Sequence, residues 1–271
     1  MPRVLHLTTL ALCAALPLVG AQAEPQAEAT LKSAFNKLRA LKSYSAQLQG
    51  GVNFGGRTVV TYTGTVQAMK PLYLKVVKTQ KQGDETSTTQ FVSNGKDYIV
   101  HSEGDPSFGR DPVNPGQTQF QGQWEGEIDA FFGGEKLLEG REVTSVGEGL
   151  VGKISCVKIR AAGSDPRINV TYFVGKADQM IHRSVIEQDA GGGRKAIITQ
   201  NLTAILANPP LKNTLFAFKP PAGVRERYAN MVPVGKAAPD FLLPALGGGE
   251  VGLEKTLKEK KAVLVNFWFY N

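Results

Sequence analysis

From Tyr44 onward, apolar and polar residues alternate with a period of two over most of the chain up to about residue 205. The clearest example is the run Val60-Thr61-Tyr62-Thr63-Gly64-Thr65-Val66-Gln67. Successive side chains of a strand point to opposite faces, so this pattern predicts strands with one buried face. The 271 residues include 30 glycines and 15 prolines, which suits short strands joined by turns better than a helical bundle.

The same alternation predicts further strands along the chain. They are expected at Leu72–Thr79, Thr86–Ser93, Lys96–Ser102, Glu142–Val146, Val151–Arg160, Ile168–Val174, Met180–Gln188 and Lys195–Leu202. Asn94-Gly95 predicts a two-residue hairpin in which both residues adopt positive φ. Gly55-Gly56 and Ala190–Gly193 are predicted as further hairpin tips.

Two helical segments interrupt this pattern. Ala27–Lys42 has a helical period, with an apolar stripe made of Leu31, Phe35, Leu38 and Leu41. Glu103–Gln123 contains three prolines and is predicted as a long loop. After it, Trp124, Ile128, Phe131 and Phe132 predict a short helix that is broken by Gly133-Gly134. The expected architecture is α+β, an antiparallel sheet of about ten strands curled around helices.

The first 23 residues are typical of a secretory signal peptide. Arg3 is followed by the apolar run Val4–Val19 and by the small-x-small site Ala21-Gln22-Ala23. The run is short for a membrane span, although an uncleaved anchor is the alternative. We therefore expect a periplasmic or secreted protein that is not transmembrane after cleavage. Cys13 lies inside the apolar run and follows Leu12, which argues against a lipoprotein signal.

The net charge and the spacing of the cysteine, histidine and glycine residues argue against several classes of site. The net charge of +7 is spread along the chain, so no nucleic-acid partner is expected. The mature chain keeps one cysteine, Cys156, in a strand pattern beside two lysines, which predicts a buried thiol more readily than a reactive one. His101 and His182 have no ligand-like spacing, so no metal and no catalytic triad are expected. Gly147–Gly152 fits G-x-G-x-x-G, but a strand follows it, which favours a hairpin over a dinucleotide site.

Composition changes near residue 230, where a Pro/Gly-punctuated stretch and a short Lys/Glu-rich helix at Leu253–Lys260 replace the strands. The run Ala262–Tyr270 is apolar at odd-numbered and even-numbered positions alike, as in a strand buried on both faces. We expect a signal peptide at 1–23, one domain at 24–228 and a second segment at 229–271.

The stretch Leu31–Gly223 resembles the LolA-like lipoprotein-carrier superfamily. The similarity lies in the first helix followed by Tyr44-Ser45-Ala46-Gln47, in Lys70-Pro71-Leu72-Tyr73, and in the ending Leu215–Gly223. The resemblance implies an incomplete antiparallel barrel whose helices cover an apolar face that holds acyl chains. The apolar helix residues then either form a core or line a lipid cavity; these candidates are Leu31, Phe35, Leu38, Trp124, Phe131 and Phe132.

The tail resembles the start of thioredoxin-fold redoxins of the AhpC/TSA and TlpA-like type. The similarity lies in an opening motif that includes Gly235, Pro239, Asp240 and Phe241, and in a strand that ends at Phe267 and Trp268. The resemblance implies an incomplete thioredoxin-like α/β segment and a redox cysteine directly after Asn271, so the chain as given is expected to be an inactive fragment. No cofactor is implied.

Two functions follow from these resemblances. The first is a secreted thiol–disulfide oxidoreductase or peroxidase-type antioxidant redoxin, with a thiol/disulfide protein partner and a LolA-like domain that binds lipid or lipoprotein. The alternative is a periplasmic carrier of lipids or lipoproteins, or an envelope-stress sensor, with no enzymatic activity. A coding sequence without a cysteine in the first codons after Asn271 would argue against the first function.

Overall fold

The computed structural model describes residues 24–113, 127–133, 138–163, 165, 167–227, 236, 240–245, 247–260 and 263. The chain divides into two compact units, Met1–Arg227 and Tyr228–Asn271. Among the described residues, no helix combines the length and apolar character that a membrane crossing requires. The predicted signal peptide lies outside the described residues.

The first unit is built on a large antiparallel sheet. Its elements are α1 (Glu24–Ala40), β1 (Ser43–Phe54), β2 (Arg57–Met69), β3 (Tyr73–Gln82), β4 (Glu85–Asn94), β5 (Asp97–Ser102), β6 (Ser107–Pro112), α2 (Glu127–Phe132), β7 (Glu142–Val151), β8 (Ile154–Ala162), β9 (Ile168–Gly175), β10 (Ile181–Asp189), β11 (Lys195–Ala207) and β12 (Arg225–Glu226). The strand order is β12-β6-β5-β4-β3-β2-β1-β11-β10-β9-β8-β7, and only the short β12–β6 pair is parallel. The sheet is thus open, with two meanders joined where β1 pairs with β11.

The period-two prediction is confirmed along the strands. On β2, Tyr62, Val66 and Ala68 are buried, whereas the alternating Thr61 and Thr63 are exposed. We call the buried side of the sheet, which also carries α1 and α2, the inner face. The predicted hairpin at Ala190–Gly193 is confirmed between β10 and β11, and the one at Gly55-Gly56 between β1 and β2.

Both predicted helices of this unit lie on the inner face. Helix α1 begins three residues earlier than the predicted Ala27–Lys42 and packs against α2, β7 and β9. Its apolar stripe is buried, with Leu31 and Ala34 fully enclosed. Helix α2 buries Ile128 and Phe131 and ends at Gly133, whose φ of 102° a residue with a Cβ rarely adopts.

The structure corrects two sequence expectations. The predicted loop Glu103–Gln123 contains β6, which pairs with β5 and, in parallel, with β12. The sequence pattern conceals this strand because β6 has one bulky apolar side chain, Phe108, and ends in a proline. At Asn94-Gly95 only the glycine has positive φ; the Asn94 carboxamide oxygen accepts hydrogen bonds from the backbone N–H groups of Lys96 and Asp97 at 2.9 and 2.8 Å.

The opposite side of β3–β6, the outer face, carries a smaller apolar cluster. A 3-10 helix at Asn213–Phe216 brings the Phe216 ring to 5.5 Å from the ring of Tyr73. The Phe218 ring contacts the ring of Phe108 on β6 in a tilted arrangement, with 5.1 Å between centroids. The ending Leu215–Gly223, noted in the sequence as part of the LolA-like pattern, therefore closes the outer face of one meander.

Ion pairs fix the end of the first unit on β6. The guanidinium of Arg227 lies 2.9 Å from the carboxylate of Asp105, and the carboxylate of Glu226 lies 2.9 Å from the guanidinium of Arg110. Arg110 also contacts Asp97 at 2.8 Å. Arg110, Asp97 and Glu226 are partly buried, so their pairing is less screened than that of fully exposed charges.

We propose that the first unit folds without the residues that follow it, and two truncations test this. A chain of residues 24–227 should unfold within about 1 °C of residues 24–271, whereas residues 24–224, which lack β12 and its ion pairs, should have a lower Tm by about 2–4 °C for each kcal/mol lost. Thermal unfolding followed by circular dichroism measures both. A large loss of Tm in the 24–227 chain would contradict the proposal.

The second unit contains a small hairpin and one short helix among its described residues. Strands β13 (Leu242–Pro244) and β14 (Glu250–Gly252) pair antiparallel, and α3 (Leu253–Glu259) follows directly. The Asp240 carboxylate accepts a hydrogen bond from the backbone N–H of Glu254 at 2.8 Å, at the start of this helix. The short helix predicted at Leu253–Lys260 is confirmed.

Candidate functional site

The inner face brings together the helix residues predicted from the sequence. Leu31, Phe35, Leu38 and Phe131 are buried in one cluster, and Phe132 packs partly buried against it. The Phe35 ring meets Tyr172 of β9 edge-on at 5.6 Å between centroids. Trp124 lies outside the described residues. These described candidates form packed core, and their contact with a lipid stays a prediction.

A second set of apolar side chains lies on the inner face at the margin of this packed core. Cross-strand pairing aligns them in one row, because Val52 on β1 pairs with Val60 on β2 and with Ile198 on β11. Ile198 pairs with Ile186 on β10, which in turn pairs with Val170 on β9. We call these five residues the apolar row. Val170 is fully buried, whereas the other four are half-buried.

On β1 and β11, a polar band lies between the apolar row and the enclosed pair Leu48 and Leu202. It runs along the next line of cross-strand pairs and consists of Gln80, Tyr62, Gly50, Gln200 and Ser184. Tyr62, Gln200 and Ser184 are each more than 90% buried. Buried polar side chains cost free energy unless they are hydrogen-bonded, so such a band is unexpected in a pure packing core.

The Tyr62 phenol crosses the sheet at Gly50. Its hydroxyl donates a hydrogen bond of 2.9 Å to the carbonyl oxygen of Thr199 on β11. A Cβ at Gly50 would lie 2.0 Å from that carbonyl oxygen and 2.6 Å from the Tyr62 ring. Glycine at position 50 is therefore what allows Tyr62 to lie flat across β1.

Gly50→Ala should consequently displace Tyr62 and strain the β1–β11 pair. We expect a loss of about 1–3 kcal/mol in the free energy of unfolding, as for other overpacked core sites. Urea denaturation measures it. Gly109→Ala on β6 is the control, because the nearest atom to its added Cβ is 4.0 Å away. Equal stabilities of the two variants would contradict this description of the band.

Lys78 adds a positive charge to the inner face. Its Nζ lies 4.5 Å from the centroid of the Tyr62 ring, a cation–π contact. Burial lowers the pKa of the Lys78 ammonium. On α2, Glu127 is buried and carries the opposite charge on this face.

Burial, and secondarily the Glu127 carboxylate, raise the pKa of Tyr62 to about 12. Both causes disfavour the phenolate, because it is an anion in a poorly hydrated place near another anion. The same two causes raise the pKa of Tyr44. The inner face thus has little water around its polar groups.

The Tyr62 pKa can be measured by absorbance at 295 nm. The difference titration between the protein and Tyr62→Phe should have its midpoint near pH 12, and Glu127→Gln should move this midpoint to lower pH because an anionic neighbour is removed. Circular dichroism at each pH verifies that the sheet persists. A midpoint near pH 10 in the folded protein would contradict the burial of Tyr62.

A buried cluster at the end of β9 includes the cysteine. Cys156 is fully buried and pairs across strands with Gly175, and burial raises the pKa of its thiol, so the unreactive interpretation is supported. His182 contacts Asp178 at 2.9 Å, a pairing that the sequence analysis missed. Within the described residues, no group of three or more His, Cys, Asp or Glu side chains is arranged to hold a metal ion.

Two of the remaining sequence motifs can be located in the structure. Gly147–Gly152 is not a phosphate loop, since Gly147 lies within β7 and the hairpin turn to β8 follows at Gly152. Asp240 and Phe241 precede the β13 hairpin of the second unit. The other residues of the redoxin-like motifs lie outside the described residues: Gly235, Pro239, Phe267 and Trp268.

No protein-family model matches the sequence, and no curated protein matches it at a significant level. Among solved structures, an uncharacterized conserved protein from Thermus thermophilus is similar, with 13% identity, a TM-score of 0.48 and coverage of 74% of this chain and 98% of that one. A LolA superfamily protein from Nitrosomonas europaea has 11% identity and a TM-score of 0.37, covering 71% and 97%. A chain of the MucA/MucB complex of Pseudomonas aeruginosa has 13% identity and a TM-score of 0.39, covering 84% and 74%.

LolA-superfamily proteins are therefore among the structural neighbours of this chain. At these identities and TM-scores the likeness carries no argument about function. The function proposed below rests on the inner face of the first unit.

Proposed function

We propose that the first unit binds the acyl chain of an amphiphile on its inner face and acts as a lipid carrier in the periplasm. The observation that carries the proposal is the apolar row, four of whose five side chains are half-buried. A row that served only the core would be enclosed like the stripe of α1. Here the apolar row meets the packed cluster at Val170, while Val60 and Ile186 pack against that cluster and stay half-buried.

The dimensions and energetics of the row suit a hydrocarbon chain. Five neighbouring strands spaced by about 4.8 Å make the row about 19 Å long, which is the scale of a long acyl chain. Each methylene that leaves water for apolar contact contributes about 0.8 kcal/mol. Such a ligand needs no catalytic residues and no metal.

A pair of neighbouring substitutions on β2 tests the proposal. Val60→Asp places a carboxylate in the apolar row, whereas Val59→Asp places it on the neighbouring side chain, which is 40% exposed and has no cross-strand partner on β1. Native mass spectrometry of the protein purified from a membrane-bearing host should show co-purifying lipid. Displacement of a fluorescent fatty acid should be weakened about tenfold or more by Val60→Asp and hardly changed by Val59→Asp.

The absence of both co-purifying lipid and fatty-acid displacement in the unsubstituted protein would contradict the proposal. Equal loss in both variants, with unchanged Tm, would place binding away from the apolar row. A pull-down from envelope extracts distinguishes a carrier from a sensor, since a sensor requires a partner protein whose binding changes with lipid.

The thiol–disulfide oxidoreductase remains a prediction from the sequence of the tail. It rests on motif residues of which Asp240 and Phe241 are described, and the expected cysteine would follow Asn271. The chemistry it implies does not involve the inner face.

A further inference from the structure

We propose that Lys78 binds the anionic head group of an amphiphile whose acyl chain lies on the apolar row. This inference rests on the proposed function and specifies the ligand as anionic, with a carboxylate or a phosphate at one end of a single hydrocarbon chain. The apolar row by itself does not require the ligand to be charged.

The register places Lys78 on the core side of the polar band, one cross-strand line from its residues Gln80 and Tyr62. Lys78 pairs with Gly64 on β2, and its side chain is on the inner face because Val76, two residues earlier on β3, is fully buried there. Its Nζ lies over the Tyr62 ring. Val60, the first residue of the row, is two residues from Tyr62 on the same strand and face, which is about 7 Å.

The immediate surroundings of Lys78 suit an anionic oxygen. Its partner on β2 is Gly64, where an added Cβ would lie 3.1 Å from the Cα of Lys78. On the β4 side, Lys78 pairs with Thr89, whose hydroxyl is hydrogen-bonded to the Ser102 hydroxyl at 2.9 Å. One hydroxyl of this pair donates to the other, so the ammonium and the remaining hydroxyl proton are the donors that a carboxylate or phosphate can use together.

Partial burial makes this cation more effective than a lysine in bulk water. The interaction of two charges grows as the effective dielectric falls, and an exposed ion pair is worth little. Lys78 is half-buried, whereas Lys81, three residues later on the same strand, is exposed. Lys81 is therefore a matched control with the same charge on the outer face.

The test compares two probes that share one chain, dodecanoate and 1-dodecanol, below their aggregation concentrations by titration calorimetry. Lys78→Gln should weaken dodecanoate binding about tenfold and change 1-dodecanol binding less than about twofold. Lys81→Gln should change neither, and Lys78→Arg should keep most of the dodecanoate affinity. Glu127→Gln should strengthen dodecanoate binding, because a like charge is removed from the inner face.

Dodecyl phosphate, acetate and inorganic phosphate complete the experiment. Dodecyl phosphate should behave as dodecanoate does, and the two chainless ions should not bind measurably at the same concentrations. If acetate or phosphate binds as tightly as its chain-bearing counterpart, Lys78 is a simple anion site and the inference is overturned.

The two proposals fail in distinguishable ways. Equal affinities of the unsubstituted protein for dodecanoate and 1-dodecanol, or equal weakening of both by Lys78→Gln at unchanged Tm, overturn the role of Lys78 and leave the apolar row as the binding surface. Failure of both probes to bind overturns the proposed function itself. If Lys78→Gln lowers the Tm, the Lys78→Arg variant is used instead, because it keeps the positive charge. If that variant has a normal Tm but no longer prefers dodecanoate to 1-dodecanol, the inference is overturned.

Discussion

The pairing of β1 with β2 on one side and with β11 on the other is the constraint on which the first unit depends. It joins two meanders, β1–β6 and β7–β11, into one sheet, and its register decides which side chains share the inner face. A slip of one residue would turn Val52 and its neighbours to the opposite face. Gly50 also supports this register, because its lack of a Cβ allows the Tyr62 phenol to reach the Thr199 carbonyl across β1.

The inner face that results is divided by polarity. Along β1 and β11, the enclosed pair Leu48 and Leu202 is followed by the polar band at Gly50 and Gln200 and then by the apolar row at Val52 and Ile198. The row meets the packed core at Val170. Packing alone does not explain this order, because buried polar groups cost free energy and half-buried aliphatic groups contribute less than enclosed ones. An amphiphile, with its chain on the row and its head group at the band, accounts for both features.

The sequence predicted most strands and both helices of this unit from local periodicity, and it placed Leu31, Phe35, Leu38 and Phe131 among the candidate apolar residues of one face. It could not predict the apolar row, because Val60, Val52, Ile198 and Ile186 belong to four strands that are brought into line by pairing over long sequence separations. Strand β6 was missed for a related reason: with one bulky apolar residue it has no alternation, and its partners β5 and β12 define it.

We propose that a hydrocarbon chain lies along the apolar row. Intermolecular NOEs between the chain and the protein test this placement most directly. With methyl-labelled protein and ¹³C-dodecanoate, we expect NOEs from chain methylenes to the methyl groups of Val52, Val60, Ile186 and Ile198, and none to Val185 on the outer face. Contacts confined to the outer face, or to the core residues of α1 without any to the row, would contradict it.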